Sequence, residues 1–209
     1  MPKYELTSET KTVDGQRLYR IRALRDIPRF GVKAGNLGGW VQAESKLSQV
    51  GDAWVFGGAR VFGDAQVSGD AQVSGGAQVF GGARVFGDAW VFGGAQVFGG
   101  AQVSGDARVS GDAQVSGGAW VFESQHVLSL GPVGSESITV TLYRTGVGHE
   151  VVAGCWGPGT LDGLAAQVKR RRTEVWAGRD PADIARWRAQ YKYFIRTGRA
   201  VVASWHPDA

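Results

Sequence analysis

Histidine and cysteine are the side chains best suited to nucleophilic or metal chemistry, and this chain has few of them. Its histidines are His126, His149 and His206, and no two lie close together in a zinc-ligand pattern. Cys155 and His149 would share one face of a strand, but they are six positions apart, too far for a thiolate–imidazole pair. We therefore predict that Cys155 is a buried small hydrophobic residue. No catalytic residue, metal or cofactor is predicted, and the sequence favours a non-enzymatic protein.

Aspartates recur every 18 residues in the middle of the chain, at Asp52, Asp70, Asp88 and Asp106. If they are stacked ~4.8 Å apart, neighbouring carboxylates repel by roughly 1 kcal/mol in water. A cation such as Ca²⁺ would relieve this repulsion, whereas a corner aspartate can also accept backbone N–H groups by itself. The calcium-binding nonapeptide Gly-Gly-x-Gly-x-Asp does not occur in the sequence. We therefore predict a structural corner role for these aspartates.

Basic residues suggest a second kind of chemistry, the binding of an anion. The net charge is +4, and residues 149–209 carry ten Lys or Arg and six Asp or Glu, which accounts for the whole excess. Arginines can hold phosphate while aromatic rings stack on a base. The candidate anion-binding residues are Arg60, Arg84, Arg108, Arg170, Arg171 and Arg172. The ligand would be small and anionic, such as a signalling nucleotide; nucleic acid is not favoured, and an ordinary solvated basic surface is the alternative.

A six-residue unit must position most of these side chains. The unit, Gly-(Asp/Gly)-Ala-(Gln/Arg/Trp)-Val-(Ser/Phe), occurs twelve times between Gly51 and Phe122. Its Ala and Val share one face of a strand, the fourth and sixth positions point the other way, and the Gly-containing pair bends the chain. The 18-residue aspartate spacing indicates three units per turn. The repeat therefore predicts a triangular parallel β-helix whose coils each rise roughly 4.8 Å.

Large aromatic residues occupy the outward positions of this predicted β-helix. Phe62, Phe80 and Phe98 form one unbroken column because they lie 18 residues apart. Exposed aromatic patches generally mark interfaces, and each ring could bury roughly 150 Å² on association. We predict an oligomer interface, trimeric or dimeric, at Phe62, Phe80, Phe98, Gln78, Gln96, Trp54, Trp90 and Phe92. The alternative is that the terminal segments of the chain cover these faces.

The repeat resembles the hexapeptide-repeat family of left-handed parallel β-helices, in which a small residue follows an aliphatic one by four positions. Val55 and Ala59 have this spacing, but Ser or Phe replaces the family's small or acidic residue after the aliphatic one. The resemblance implies a left-handed coil, while the spacing alone leaves the hand open. It also implies a hypothesis of acyl transfer, with His126 as the base. Residues 51–122 contain no histidine, which argues against the family's enzymatic activities.

Residues 1–122 also resemble uncharacterised β-helical proteins of enterobacteria and prophages. The residues that carry this resemblance are Ala34-Gly35, Gly38-Gly39-Trp40-Val41, Leu47-Ser48-Gln49 and Gly51-Asp52. The resemblance implies a phage or prophage origin and leaves the function open.

Three parts are predicted along the chain: an N-terminal β-hairpin cap over residues 1–36, the β-helix over 37–128, and a C-terminal α+β module over 136–209. In the cap, Asp14-Gly15 is a two-residue turn signal between two strands. After Phe122 the repeat frame decays, and Gly131-Pro132 ends it.

In the C-terminal module we predict strands from Ser137 to Arg144 and from His149 to Trp156. Helices follow, one capped by Thr160 and one starting at Asp180-Pro181. Gly198 is predicted to close the second helix, and residues 200–205 to form a last strand.

The remaining features concern the compartment and the partners. A single cysteine cannot form an internal disulfide, no apolar run reaches the ~18 residues that span a bilayer, and the N-terminus lacks a signal core. These features predict a cytoplasmic protein, in the host cytoplasm if phage-encoded, without a membrane partner. The first function hypothesis is an oligomeric scaffold or binding protein that displays the basic C-terminal module to a ligand or a host protein.

Overall fold

The structure, a computed structural model, describes residues 1–205. The described chain is mainly β, with an N-terminal antiparallel hairpin, a parallel β-solenoid of about five turns, and a C-terminal antiparallel sheet with two helices. The predicted fold class is confirmed. The elements outside the regular repeat are β1 (Tyr4–Val13), β2 (Gln16–Ala23), β3 (Leu37–Val41), β16 (Val127–Val133), β17 (Ile138–Thr145), β18 (Gly148–Ala153), β19 (Trp156–Gly159), α1 (Leu161–Glu174) and α2 (Pro181–Ser204).

Each unit of the regular repeat contributes one strand of two residues. These strands are β4 (Trp54–Val55), β5 (Arg60–Val61), β6 (Gln66–Val67), β7 (Gln72–Val73), β8 (Gln78–Val79), β9 (Arg84–Val85), β10 (Trp90–Val91), β11 (Gln96–Val97), β12 (Gln102–Val103), β13 (Arg108–Val109), β14 (Gln114–Val115) and β15 (Trp120–Val121). Short 3-10 turns lie at Pro28–Phe30, Glu44–Lys46 and Ser124–His126.

Three parallel sheets form the sides of the solenoid. The first sheet contains β3, β5, β8, β11 and β14, the second β4, β7, β10 and β13, and the third β6, β9, β12 and β15. Each strand from β4 to β12 pairs with the strand 18 residues further on, as Gln78 does with Gln96. This register confirms the predicted three-unit turn. The degenerate units before Gly51 join it, since Val41 pairs with Val61 and Leu47 with Val67.

Alanine and valine fill the interior of the solenoid. Every Ala and Val of the twelve units, from Ala53 to Val121, is buried. The corners need glycine, because the first residue of every unit has a positive φ. At Gly81, for example, φ is 63° and a Cβ would lie 3.0 Å from the nitrogen of Gly99 in the next coil. The corner glycines therefore permit both the turn and the close stacking of successive coils.

The hairpin closes the N-terminal end of the solenoid. Its strand β2 pairs with both β1 and β3, so the hairpin extends the first sheet. Lys3 and Tyr4 reach over the core: Lys3 Nζ donates to the Ala53 carbonyl at 2.7 Å, and the Tyr4 hydroxyl donates to the Leu47 carbonyl at 2.7 Å. Burial, helped by the nearby Arg25 charge, lowers the pKa of Lys3 from 10.5 to about 8.

The C-terminal sheet closes the other end. Tyr143 and Val152 belong to the solenoid core, whereas Leu142 and Val151 pack into a second core with the helices. The Tyr143 hydroxyl lies 3.1 Å from Ser116 Oγ, and burial raises the pKa of Tyr143 to about 12. The C-terminal module therefore packs directly on the solenoid, a relationship that the sequence left open.

Both helices begin where the sequence predicts. Thr160 Oγ1 accepts the Gly163 amide at 3.0 Å, and Asp180 Oδ1 accepts the Ala182 amide at 2.7 Å. The predicted helix end at Gly198 is wrong, as is the last strand over residues 200–205, because α2 continues past Gly198 to Ser204. Gly198 serves close packing instead, since a Cβ there would lie 3.0 Å from Leu161 Cδ2.

Two strands of the C-terminal sheet were not predicted. Strand β16 pairs with β17 where the sequence indicates only a decaying repeat, and β19 pairs with β18. The predicted return strand to Trp156 is in fact two strands joined by a turn at Gly154, whose φ is 62°. Glycine and proline inside β16 and β19 hide the alternation that identifies a strand.

Candidate functional site

The described histidines have structural hydrogen bonds. His126 is buried, and its Nδ1 accepts the Glu123 amide at 3.2 Å, so that nitrogen is occupied within the chain. His149 Nε2 accepts the Leu161 amide at 3.2 Å, and burial lowers the pKa of His149. His206 lies outside the described residues. In each described ring the nitrogen that accepts is bonded to a backbone amide, and in the neutral ring the other nitrogen carries the proton. This geometry therefore offers no support for the acyl-transfer hypothesis.

Cys155 is exposed, and the prediction that it is a buried hydrophobic residue is wrong. It lies in the turn between β18 and β19 rather than within the return strand, so its side chain leaves the core. Among residues 1–205, no group of three or more His, Cys, Asp or Glu side chains could hold a metal ion.

The aspartate column lies along one corner of the solenoid, where arginines of the N-terminal segment pair with it. Arg25 lies 3.7 Å from Asp52, and Arg29 bridges Asp70 at 2.9 Å and Asp88 at 2.5 Å. Asp70 Oδ1 also accepts the Asp52 amide at 3.1 Å, as expected for a corner aspartate. Arginines of the same chain therefore relieve much of the repulsion between the stacked aspartates, the repulsion that a bound cation would also relieve.

The N-terminal segment also covers part of the second sheet. Trp54, predicted to face a partner subunit, is only 1% exposed, and the ring of Tyr4 packs edge-to-face on it at 6.2 Å. Phe30 packs in the same way on Phe56 at 6.1 Å. At Trp54 the predicted interface is therefore wrong, because this chain covers the ring itself.

The phenylalanine column forms a stack on the first sheet. Ring centroids are 5.2 Å apart between Phe62 and Phe80 and 5.0 Å between Phe80 and Phe98. Phe62 is 7% exposed and lies at a cleft beside the hairpin turn. The other candidate interface residues are half-buried: Phe80, Phe98, Gln78, Gln96, Trp90 and Phe92. Much of the aromatic surface that suggested an interface is thus buried by stacking within the chain.

The candidate anion-binding arginines do not form one site. Arg60, Arg84 and Arg108 begin strands of the first, third and second sheets, so they lie on three different sides of the solenoid. On α1, Arg171 pairs with Glu136, and Arg170 lies 3.6 Å from Glu174. The last candidate of the six, Arg172, lies beside other cations.

These cations surround a groove between α1 and α2 with a volume of roughly 720 Å³. The helices pack side by side, and Arg199 of α2 pairs with Asp162 at the start of α1 at 2.6 Å, so they run antiparallel. The basic residues along the groove are Lys169, Arg172, Arg188, Lys192, Arg196 and Arg199, and all are exposed. Among residues 1–205, no acidic side chain lines the groove.

Five of the six groove cations have no ion-pair partner among residues 1–205, the exception being Arg199. Arg188, Lys192 and Arg196 follow one another at intervals of four residues on the same face of α2. Like charges at this spacing destabilise a helix by about 0.2–0.5 kcal/mol per pair. This arrangement costs stability in the isolated chain, and a bound anion would relieve the repulsion.

Apolar side chains form the floor of the groove. Ala165 and Val168 contribute from α1, Ala185 and Ala189 from α2, and Ile195 closes the floor against the C-terminal core. Ala165 and Val168 are three residues apart and Ala185 and Ala189 four, so each of these pairs lies on one helical face. The groove was not predicted from the sequence, because the prediction for α2 used only its buried apolar stripe. The basic face of α2 is equally visible in the sequence.

The comparisons with known proteins concern the repeat alone. A family model described as the YdcK beta solenoid repeat matches residues 101–117, within the last two turns of the solenoid. This match and the fold support a family of β-solenoid repeats. The sequence matches no curated protein.

Within residues 1–205, neither helix combines the length and the apolar character needed to cross a bilayer.

Proposed function

We propose that this protein is a non-enzymatic scaffold that holds a basic pair of helices in a fixed orientation for an anionic partner. The observation that carries the proposal is the groove between α1 and α2, where five exposed cations lack an ion-pair partner among residues 1–205. Clustered charge of one sign raises the association rate of an oppositely charged partner.

The rest of the described chain supports a scaffold. Tyr4 seals one end of the solenoid core and Tyr143 the other, and both hydroxyls are hydrogen-bonded. The C-terminal sheet lies between the solenoid and the helices, with one face in each core. The solenoid therefore gives the helical pair a rigid base.

Binding of the full chain to anionic probes tests this proposal. Poly-glutamate, duplex DNA and phosphatidylserine-containing vesicles would be titrated at low and moderate salt, with wild type and two double variants. Lys192→Glu/Arg196→Glu reverses groove charges, whereas Arg170→Glu/Arg186→Glu makes the same change in net charge outside the groove.

We expect at least one probe to bind with an affinity that falls with salt and falls about tenfold or more in the groove variant. The control variant should keep most of the affinity. If no probe distinguishes the two variants, the groove is not an anion site and the proposal fails.

Self-association through the first sheet is a second candidate function. The half-buried rings of Phe80 and Phe98 lie beside Gln78 and Gln96 on one side of the solenoid, a regular surface that a second copy can match. Native mass spectrometry should show a dimer or trimer that Phe80→Ser/Phe98→Ser converts to monomers. Phe86→Ser, on the third sheet, is the control, and an unchanged mass in the double variant would refute this candidate.

The setting of the proposed scaffold follows from the resemblance of residues 1–122. We propose a phage or prophage protein that acts in the cytoplasm of its host, where the anionic partner is a host protein. The genes beside the coding sequence and the location of a tagged chain test this setting.

A further inference from the structure

We propose that the groove between α1 and α2 binds an acidic amphipathic helix of a partner protein. This inference rests on the proposed function and specifies the chemistry of the partner. Three features support it: an apolar floor, cations on both helices, and the length of the groove.

The groove has the dimensions of a helix-binding site. Its lining on α2 runs from Ala185 to Arg199, which corresponds to about 21 Å of helix. A partner helix of about 14 residues covers this length, and its apolar residues at intervals of three and four would contact the floor. Ala185 and Ala189 are small, so a partner helix can approach α2 closely.

The charges lie where the flanks of such a helix would be. Lys169 and Arg172 line the groove from α1, whereas Arg188, Lys192 and Arg196 line it from α2. Glutamates on both sides of an apolar stripe would meet both sets of cations. Arg199 and Asp162 neutralise each other where α1 begins.

Other anionic occupants match this surface less well. A duplex or single-stranded nucleic acid would leave the aliphatic floor without an apolar partner. Tyr191, the only aromatic side chain among the described residues of the lining, is buried and cannot stack on a base. A single lipid headgroup would neutralise only part of the basic row from Arg188 to Arg199, which is about 17 Å long. A polypeptide with repeated carboxylates satisfies both the floor and the rims.

The test uses the full chain and a labelled synthetic peptide of about 16 residues, with leucines on one helical face and glutamates on its flanks. A second peptide has the same composition, but its leucines are distributed around the helix. Fluorescence anisotropy gives the affinity of each, and duplex DNA and vesicles of phosphatidylcholine with phosphatidylserine compete for binding.

Variants test the rims and the floor separately. Lys192→Glu/Arg196→Glu removes rim charge, with Arg170→Glu/Arg186→Glu as the control. Ala185→Gln/Ala189→Gln makes the floor polar without changing charge, and Ala200→Gln, at an exposed position of α2 outside the groove, is its control. Circular dichroism confirms that each variant is folded.

We expect the amphipathic peptide to bind about tenfold or more tightly than its rearranged counterpart, and both groove variants to lose about tenfold in affinity. Equal binding of the two peptides would overturn the inference and leave the anionic-partner proposal standing. If DNA or vesicles bind more tightly than the amphipathic peptide, and the rim variant weakens that binding, the inference is likewise overturned and the anionic-partner proposal stands. If the rim variant affects no probe, both the inference and the proposed function fail.

Discussion

The ring of Phe98 lies parallel to the ring of Phe80, with 5.0 Å between the centroids and 5° between the planes. The spacing follows from the strands, which lie about 4.8 Å apart in the hydrogen-bonding direction. Identical residues 18 positions apart are thus held at a favourable distance for stacking. Phe62 extends the stack at the other side of Phe80, at 5.2 Å.

The stack should stabilise the solenoid beyond the burial of each ring. Phe80 contacts two rings, and an aromatic pair contributes about 0.5–1.5 kcal/mol in addition to buried area. We therefore expect Phe80→Ser to lower the free energy of unfolding by about 1–3 kcal/mol more than Phe86→Ser. Phe86 occupies the same unit position on the third sheet, between the serines of the adjacent coils. Urea unfolding measures the difference, and equal losses would contradict this prediction.

Gly198 allows α2 to approach the C-terminal sheet and α1. A Cβ at this position would lie 3.0 Å from Leu161 Cδ2 and 3.1 Å from Leu142 Cδ2. We expect Gly198→Val to lower the free energy of unfolding by about 1–3 kcal/mol through overpacking. Ala200→Val, at an exposed position of the same helix, controls for helix propensity. Guanidinium unfolding measures the free energy of unfolding of both variants. Equal losses for Gly198→Val and Ala200→Val would show that close packing at Gly198 is unimportant.

Arg29 should be coupled energetically to the aspartate column. It bridges Asp70 and Asp88, but all three side chains are partly exposed, so the expected coupling is small. A double-mutant cycle of Arg29→Ala and Asp88→Asn should give a coupling of about 0.2–1 kcal/mol at low salt, and less at high salt. Asp106→Asn replaces Asp88→Asn in the control cycle, since Asp106 has no ion-pair partner among residues 1–205. A coupling that does not change with salt would contradict the electrostatic explanation.

Lys3 should make the stability of the N-terminal cap depend on pH. Because burial lowers the pKa of Lys3 from 10.5 to about 8, the unfolded chain binds a proton more strongly between these values. Stability should therefore rise as pH increases from about 8 toward 10.5. Above pH 10 Tyr4 opposes this gain, because burial raises the pKa of its phenol in the folded chain.

The melting temperature measured between pH 7 and 10 tests the role of Lys3. In wild type it should rise relative to Lys3→Met, in which the titrating amine is missing. Lys46→Met, in the 3-10 turn before the regular repeat, should keep the wild-type dependence. Parallel curves for wild type and Lys3→Met would exclude Lys3 as the source.

The sequence by itself determined the solenoid, because every unit repeats the same local chemistry. Glycine at each corner, two small inward residues and an 18-residue register define the sheets and the core without any contact from outside the repeat. Thr160 and Asp180 likewise defined the helix starts, since each cap is a local hydrogen bond.

Only the tertiary structure decided which outward residues stay exposed. Whether Trp54 faces solvent depends on Tyr4, 50 residues earlier in the chain, and whether Gly198 ends a helix depends on its packing against Leu161. The groove depends on the same kind of contact. The basic face of α2 is visible in the sequence from the spacing of its cations. It lies beside Lys169 and Arg172 only because the helices pack antiparallel. Local periodicity determines elements, whereas sites between elements depend on contacts that no short stretch of sequence contains.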